Sequence, residues 1–316
     1  MEYGGYLELE RGFGPGPHPG ALALNSARNA LAYVLEARGI GRLLVPAWLC
    51  GSVAQVCAAC GTTVIPYGVD ERFRPRLSRP LESGEWLYVV NYYGQLGPRE
   101  AEGLQKTYGR VIWDNVQAFF QPPVSGMDTL YTCRKFFGVP DGAYLYTDCP
   151  LSCPLERDES RERMEHLLGR RDTGCAGDFY AKYTENEERL EHLPLRRMSA
   201  LTEALMSLAP CEEVRRRREE NFRALHGLLG GRDPLGLTVP TGPYAYPLLV
   251  EDGPAVRAAL REQKIFLPLL WPEAAAQTQD PLAARYARDI LPLPVDQRYT
   301  PADMERLAAA VLERLG

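Results

Sequence analysis

Lysine is nearly absent from this chain of 316 residues. Four are present, Lys106, Lys135, Lys182 and Lys264, and the other 32 of its 36 basic residues are arginine. A guanidinium stays protonated and forms no Schiff base, so chemistry that needs a primary amine falls to one of these four. Long apolar runs are missing too, and with them any expectation of a membrane-spanning helix. The opening stretch, MEYGGYLELERGFGPGPHPG, lacks a basic segment followed by an apolar one. No secretory signal is expected, and the chain reads as cytoplasmic. A basic excess is also lacking: 36 Lys+Arg face 41 Asp+Glu, a net charge of −5. That argues against a general binder of nucleic acid or anionic membrane. The four histidines, His18, His166, His192 and His226, show no metal pairing and no triad order. The eight cysteines are scattered and read as reduced thiols. Cys57-x-x-Cys60, Cys149 and Cys153 read as buried structural residues rather than a zinc set, so no metal site is expected. Gly126, Gly138 and Gly142 form no nucleotide-binding fingerprint.

What is present is ordinary for a large globular chain: 45% hydrophobic and 24% charged residues. Residues 1–20 read as an irregular Gly/Pro-rich arm. A helix starts at Asn25 or Ser26 and runs to Gly39. Strands are expected at 42–46, 62–66, 85–91, 110–114, 129–132 and 143–147, with helices at 51–60 and 98–108 between them. This alternation defines an α/β layer with a largely parallel sheet, in which ligands bind beyond the carboxyl ends of strands. Asn91, Asp114 and Lys135 lie at or just after such ends. Residues 150–200 read as a polar helical connection and 198–229 as long helices. The mixed-charge run EEVRRRREE, 212–220, reads as a solvated helix face. A strand at 245–250, a helix at 254–263, a turn at Lys264, a strand at 290–295 and a last helix at 301–315 close the chain. The expected organisation is an arm, 1–20; a large α/β domain, 21–195; and a helical connection with a small α+β domain, 196–316.

The densest chemistry lies between Ile112 and Tyr146. Asp114 and Gln117 stand three residues apart at a strand end. Thr132 precedes Lys135 by three. A buried carboxylate can pair with a protonated pyridine nitrogen, an amide can meet the ring oxygen, and a hydroxyl can hold a phosphate while an amine holds an aldehyde. On the residues alone, a surface lysine and an N-cap aspartate remain the favoured reading.

In ordered segments from Ser26 to Met304, the chain resembles the DegT/StrS sugar aminotransferases, a branch of the fold-type I pyridoxal-phosphate enzymes. VIWDNVQAFF, 111–120, is similar to V-I-E-D-A-A-Q-A, and TCRKFFGVPDGAYLYT, 132–147, to the lysine segment. NSARNAL, 25–31, resembles S-G-T-A-A-L; VPAWL, 45–49, resembles V-P-S-F-T; VVNYYGQLG, 89–97, resembles V-H-L-Y-G-Q. Arg197-Met198-Ser199 resembles R-M-S/T, and ILPLPVDQRYTPADM, 290–304, the closing L-P-L-P segment. The resemblance implies a mostly parallel sheet flanked by helices, with pyridoxal 5'-phosphate as cofactor. Lys135 maps to the Schiff-base lysine, Asp114 to the partner of the pyridine nitrogen and Gln117 to the contact of the ring oxygen. Thr132 and the turn Ser26–Ala27–Arg28 map to the phosphate site. It further implies amino transfer from a donor such as glutamate to a keto-sugar nucleotide, a role in polysaccharide biosynthesis, and a homodimer. A non-catalytic binding or scaffold descendant is the alternative. A dehydratase is disfavoured because that branch replaces the lysine with histidine.

Three positions depart from the family pattern. Ala27-Arg28 replaces Gly-Thr, leaving Arg28 to bind the cofactor phosphate, a substrate phosphate or solvent. Cys50 stands where an aromatic often stacks on the ring, so Trp48 either takes that place or fills the core. Leu195 replaces an Asn that reaches a neighbouring subunit. Either Arg196 substitutes for it or the contact is absent.

Overall fold

The computed structural model describes residues 3, 5–14 and 16–316, with the side chain of Gln277 left aside. The chain begins β1 (Leu22–Leu24), α1 (Ala27–Arg38), β2 (Arg42–Pro46), α2 (Gly51–Ala59), β3 (Thr63–Val69) and β4 (Pro75–Arg76). It continues through β5 (Glu85–Val90), α3 (Pro98–Tyr108), β6 (Val111–Asp114), β7 (Asp128–Thr132) and β8 (Ala143–Tyr146). Then come α4 (Glu165–Thr173), α5 (Tyr180–His192), α6 (Ala200–Leu208) and α7 (Cys211–Leu229). The rest is β9 (Ala245–Leu249), α8 (Gly253–Glu262), α9 (Pro272–Gln277), α10 (Pro281–Asp289), β10 (Ile290–Pro294) and α11 (Pro301–Leu315). Among the described residues no helix is long and apolar enough to cross a membrane.

Eight strands form one sheet in the order β1-β8-β7-β6-β5-β2-β3-β4. The five from β7 to β3 are mutually parallel, while β8 runs against both β7 and β1, and β4 against β3. The central strands β6 and β7 are buried along their whole length. Such two-sided burial follows when crossover helices cover both faces of a parallel sheet. β1 points the same way as the parallel strands, so its carboxyl end joins theirs on one edge. A second, two-stranded antiparallel sheet pairs β9 with β10, packed by α7, α8 and α10, with α11 against α7 and α8.

The helix ends follow the local chemistry. Ser26 Oγ accepts from the Asn29 N–H at 3.1 Å and starts α1, and Gly39, at φ +60°, stops it in the left-handed conformation. Pro98 opens α3, and Thr300 with Asp303 forms a capping box on α11.

Four elements have no counterpart in the sequence reading: β1, β4, α9 and α10. The two strands are only three and two residues long, too short for periodicity to register. The two helices occupy the stretch after Lys264. They fold back over the main sheet: Asp280 pairs with Arg76 at 2.8 Å, and Glu273 Oε1 accepts from the Gly51 N–H at 3.0 Å. Glu273 thereby places an anion on the positive end of α2.

Candidate active site

Strand register brings the sequence motifs together at one edge. Leu24 lies opposite Ala143, and Ala143 opposite Thr132. The turn into α1 therefore sits one strand away from the end of β7. Gly142 ties the two: its N–H donates to Asn25 O at 2.8 Å, and its carbonyl accepts from Cys133 N at 3.0 Å. Gly142 holds φ +116°, and a Cβ there would meet Thr202 Cγ2 at 3.0 Å and Cys133 Sγ at 3.1 Å. Only glycine suits that position.

The α1 N-terminus rests on a buried polar network. Asn25 Oδ1 accepts from Asn29 Nδ2 at 2.8 Å, and Asn25 Nδ2 donates to Pro194 O at 3.0 Å. Asn25 N–H donates to Arg196 O, and Met198 N–H to Ala23 O, so the Arg197-Met198-Ser199 segment runs along the free edge of β1. The Arg196 side chain turns away to Glu156 at 3.1 Å, and Leu195 packs on the core. Asp141, fully buried, accepts from Ser199 N at 3.0 Å, Ser199 Oγ at 2.8 Å and the Thr202 hydroxyl.

On this support the donors at the edge are left open. Among the described residues, the N–H groups of Ala27 and Arg28 and the Thr132 hydroxyl have no hydrogen-bond partner. Two free N–H groups at a helix start, with no acidic residue in the first turn, fit an anion. Arg28 is not simply solvent-facing. Its Nη2 pairs with Glu191 of α5 at 3.3 Å, while its buried Nε has no partner. Arg134, beside Lys135, pairs with Glu187, one turn earlier on α5.

Asp114 ends β6 and is buried. Its Oδ2 accepts from the Tyr88 hydroxyl at 2.6 Å, and its Oδ1 from the Val116 N–H at 2.8 Å. Burial pushes its carboxyl above the ordinary range, against the pull of the Tyr88 hydroxyl and the Lys135 charge. Gln117 is fully buried, and its Oε1 accepts from Tyr93 N at 2.7 Å. That bond fixes the amide orientation. The opposite atom, Nε2, is buried without a partner. An unpaired buried donor is costly unless a ligand completes it.

Lys135 is partly buried, with Nζ 5.5 Å from the centre of the Tyr244 ring. Among the described residues it makes no ion pair and no hydrogen bond. Burial pushes its ammonium below the ordinary value, and Asp114 is the charge that opposes this most. A suppressed, unpaired amine facing a buried acid is suited to nucleophilic attack and proton transfer.

Trp48 requires a correction. It is 1% exposed and stacks on Tyr92 at 4.5 Å, with rings 9° from parallel. Trp271 and Tyr286, supplied by the loop before α9 and by α10, pack around it. Its ring offers no open face to a cofactor. The two helices missed in the sequence are what make it a core residue. Cys50 stays partly exposed at the start of α2, within electrostatic reach of Lys135. Asn91, at the end of β5, is consumed inside the fold by Asn115, Gln121 and the Leu96 N–H.

Two other expectations change. Cys60 and Cys153 are exposed, not buried; all eight cysteines are free thiols. The arginine run on α7 is not uniformly solvated, because Arg218 is 2% exposed. Tyr88, Tyr244 and the two α5 glutamates were not found from sequence. Tyr88 was legible only as a strand residue, and the others lie far along the chain. A cleft of about 670 Å³ lies beside this edge, lined by Arg161, Arg163, Glu185, Glu188 and Glu191, and does not include Lys135.

A lysine, a buried acid and an amide gather beside a helix start with open N–H groups, at the carboxyl edge of a mostly parallel sheet. Comparison with solved structures agrees on the fold. The chain is similar to DesV from S. venezuelae, solved in complex with a ketimine intermediate, at 19% identity and TM-score 0.67, over 93% of this chain and 84% of that one. It is similar to the sugar aminotransferase CalS13 from Micromonospora echinospora, at 16% identity and TM-score 0.66, over 96% and 93%. It is also similar to ntda from Bacillus subtilis with bound cofactor PMP, at 14% identity and TM-score 0.67, over 93% and 73%. No family model matches the chain, and no curated protein matches it.

Proposed function

We propose that the protein is a pyridoxal-phosphate-dependent aminotransferase that moves an amino group from an amino acid such as glutamate to a keto-sugar nucleotide. The observation that carries the reading is the Gln117 amide. Its oxygen is locked on Tyr93 N, and its NH₂ is left buried and unpaired, three residues from a buried acid that Lys135 reaches electrostatically. The residues fit the cofactor. Asp114 would hold a proton on the pyridine nitrogen, Gln117 Nε2 would donate to the ring oxygen, and Thr132 with the Ala27 and Arg28 N–H groups would hold the phosphate. Ser26 keeps that helix start in place. Pyridoxal phosphate, when bound, supplies an aldehyde that accepts amines and a ring that takes up electrons as a C–H bond breaks. Lys135 Nζ is the nucleophile and afterwards the base that carries the proton at the reacting carbon. Trp48 has no part in this set.

The likeness in fold to sugar aminotransferases supports the keto-sugar as acceptor. A cytoplasmic homodimer, with a role in polysaccharide biosynthesis, belongs to the same reading. The non-catalytic alternative has no specific observation in its favour.

The test is an absorbance spectrum with pyridoxal phosphate, before and after borohydride, followed by peptide mapping. We expect a near-visible band that reduction abolishes, with the adduct on Lys135, and a band shift on adding glutamate. Absence of the band in the wild type, or an unchanged band in Lys135→Ala, overturns the reading.

A further inference from the structure

The geometry points to Arg218 and Gln297 as a clamp that positions Lys135, acting through the carbonyl of the residue that follows it. This rests on the reading of Lys135 as the nucleophile. Arg218 comes from α7, 83 residues along the chain from Lys135, and Gln297 from the loop after β10. Both donate to Phe136 O, Gln297 Nε2 at 2.7 Å and Arg218 Nη2 at 3.3 Å. They also hold each other, Arg218 Nε donating to Gln297 Oε1 at 2.9 Å. Arg218 Nη1 reaches Pro243 O at 3.0 Å and Tyr244 O at 3.3 Å. Tyr244 is the ring over which Lys135 Nζ lies. One guanidinium therefore fixes both the backbone that carries the amine and the aromatic surface that the amine rests on. Its plane lies on the Phe136 ring, 4.7 Å from centre to carbon.

The arrangement is expensive for a purely structural one. Among the described residues Arg218 has no carboxylate within bonding distance, and burial pushes its guanidinium down to about 10. Three backbone carbonyls and one amide oxygen, each with a donor aimed at it, are what retain it. All three carbonyls belong to the two loops that carry Lys135 and Tyr244.

The test reads the amine directly and needs no cofactor, so it stands apart from the spectral test of the proposed function. The protein is pulse-labelled with acetic anhydride across a pH series, and the Lys135 peptide is quantified by mass. The exposed Lys106, Lys182 and Lys264 serve as references. The charged and polar groups facing Lys135 are Asp114, Cys50, Arg28 and Glu187, and each variant leaves them in place. In Gln297→Ala and Arg218→Lys the loop loosens and the amine gains water. We expect the Lys135 midpoint to rise by about one pH unit, or about ten-fold less free amine below it. Thr62→Val is the control. Thr62 is buried just before β3, at the amino ends of the parallel strands, and its hydroxyl donates to Ile40 O. Its midpoint should match the wild type. An unchanged midpoint in folded Gln297→Ala overturns the clamp, as does an equal shift in Thr62→Val. If Arg218→Lys does not fold, Gln297→Ala decides alone.

Discussion

Two buried aspartates near the same edge of one sheet, two strands apart, are treated in opposite ways. Asp141, before β8, is closed within the fold: two hydroxyls and a backbone N–H donate to it, and Arg163 stands 3.9 Å away. Asp114, at the end of β6, accepts one donor on each oxygen and faces an amine that no other group holds. Beside it Gln117 carries a buried donor with no acceptor. Burial raises both carboxyls. The pKa direction therefore does not separate a structural acid from a chemical one. What separates them is whether the neighbouring polar atoms are all used up.

The sharpest way to break this comparison is to substitute both. Asp141→Ala leaves the Ser199 N–H and two hydroxyls without an acceptor, and should cost about 3 kcal/mol in urea unfolding. Asp114→Asn keeps the acceptor for Val116 N–H, and its new NH₂ can donate to the Tyr88 oxygen. Its stability should stay within about 1 kcal/mol of the wild type, while the cofactor band weakens or shifts. If Asp114→Asn unfolds the protein as readily as Asp141→Ala, the distinction between open and closed sites fails.

Acid should act on the closed side first. His18, on the arm, sits among Phe119, Tyr131 and Tyr144, with Nε2 3.0 Å from Phe119 O. Burial lowers its pKa to about 4 from 6.5. The unfolded chain thus takes up this proton below about pH 6.5, while the folded one resists until about pH 4. The unfolded state binds more protons in that window, so stability falls as the pH drops through it. At most about 3 kcal/mol is lost. In His18→Phe this slope between pH 6.5 and 4 should disappear from urea midpoints measured along the series. A slope that persists would assign the acid sensitivity to other groups.

Most of this architecture was legible in the sequence. Apolar runs closed by polar residues placed the strands β2, β5, β6, β7 and β8 within a residue or two, and capping and proline signals placed α3 and α11. The site was partly legible. Asp114, Gln117, Thr132 and Lys135 share one short segment, and were singled out because that segment resembles a family's motifs; spacing alone did not separate them from a surface lysine and an N-cap aspartate. Trp48 stayed open between ring contact and core because its neighbours Trp271 and Tyr286 lie more than 200 residues away, just before α9 and within α10. Tyr88 and Tyr244 were invisible for a related reason. A tyrosine in a strand or a loop carries no sign of which acid or amine it will meet.

The run of four arginines from Arg215 to Arg218 shows the same limit on one helix, and yields the smallest expected effect. As a sequence the four are equivalent. The helical period separates them: Arg218 falls in line with Val214, Asn221, Phe222 and Leu225, the buried stripe of α7. Arg216 falls on the outside and pairs with exposed Glu213 and partly buried Glu220. Pairs held in water gain little over their hydration and the freedom of the side chains. Arg216→Ala should therefore leave the urea midpoint and the Lys135 labelling profile unchanged within error. A measurable loss at Arg216 would mean that the charge run acts as a unit. The contrast drawn between Arg216 and Arg218 from burial and hydrogen-bond partners would then be wrong.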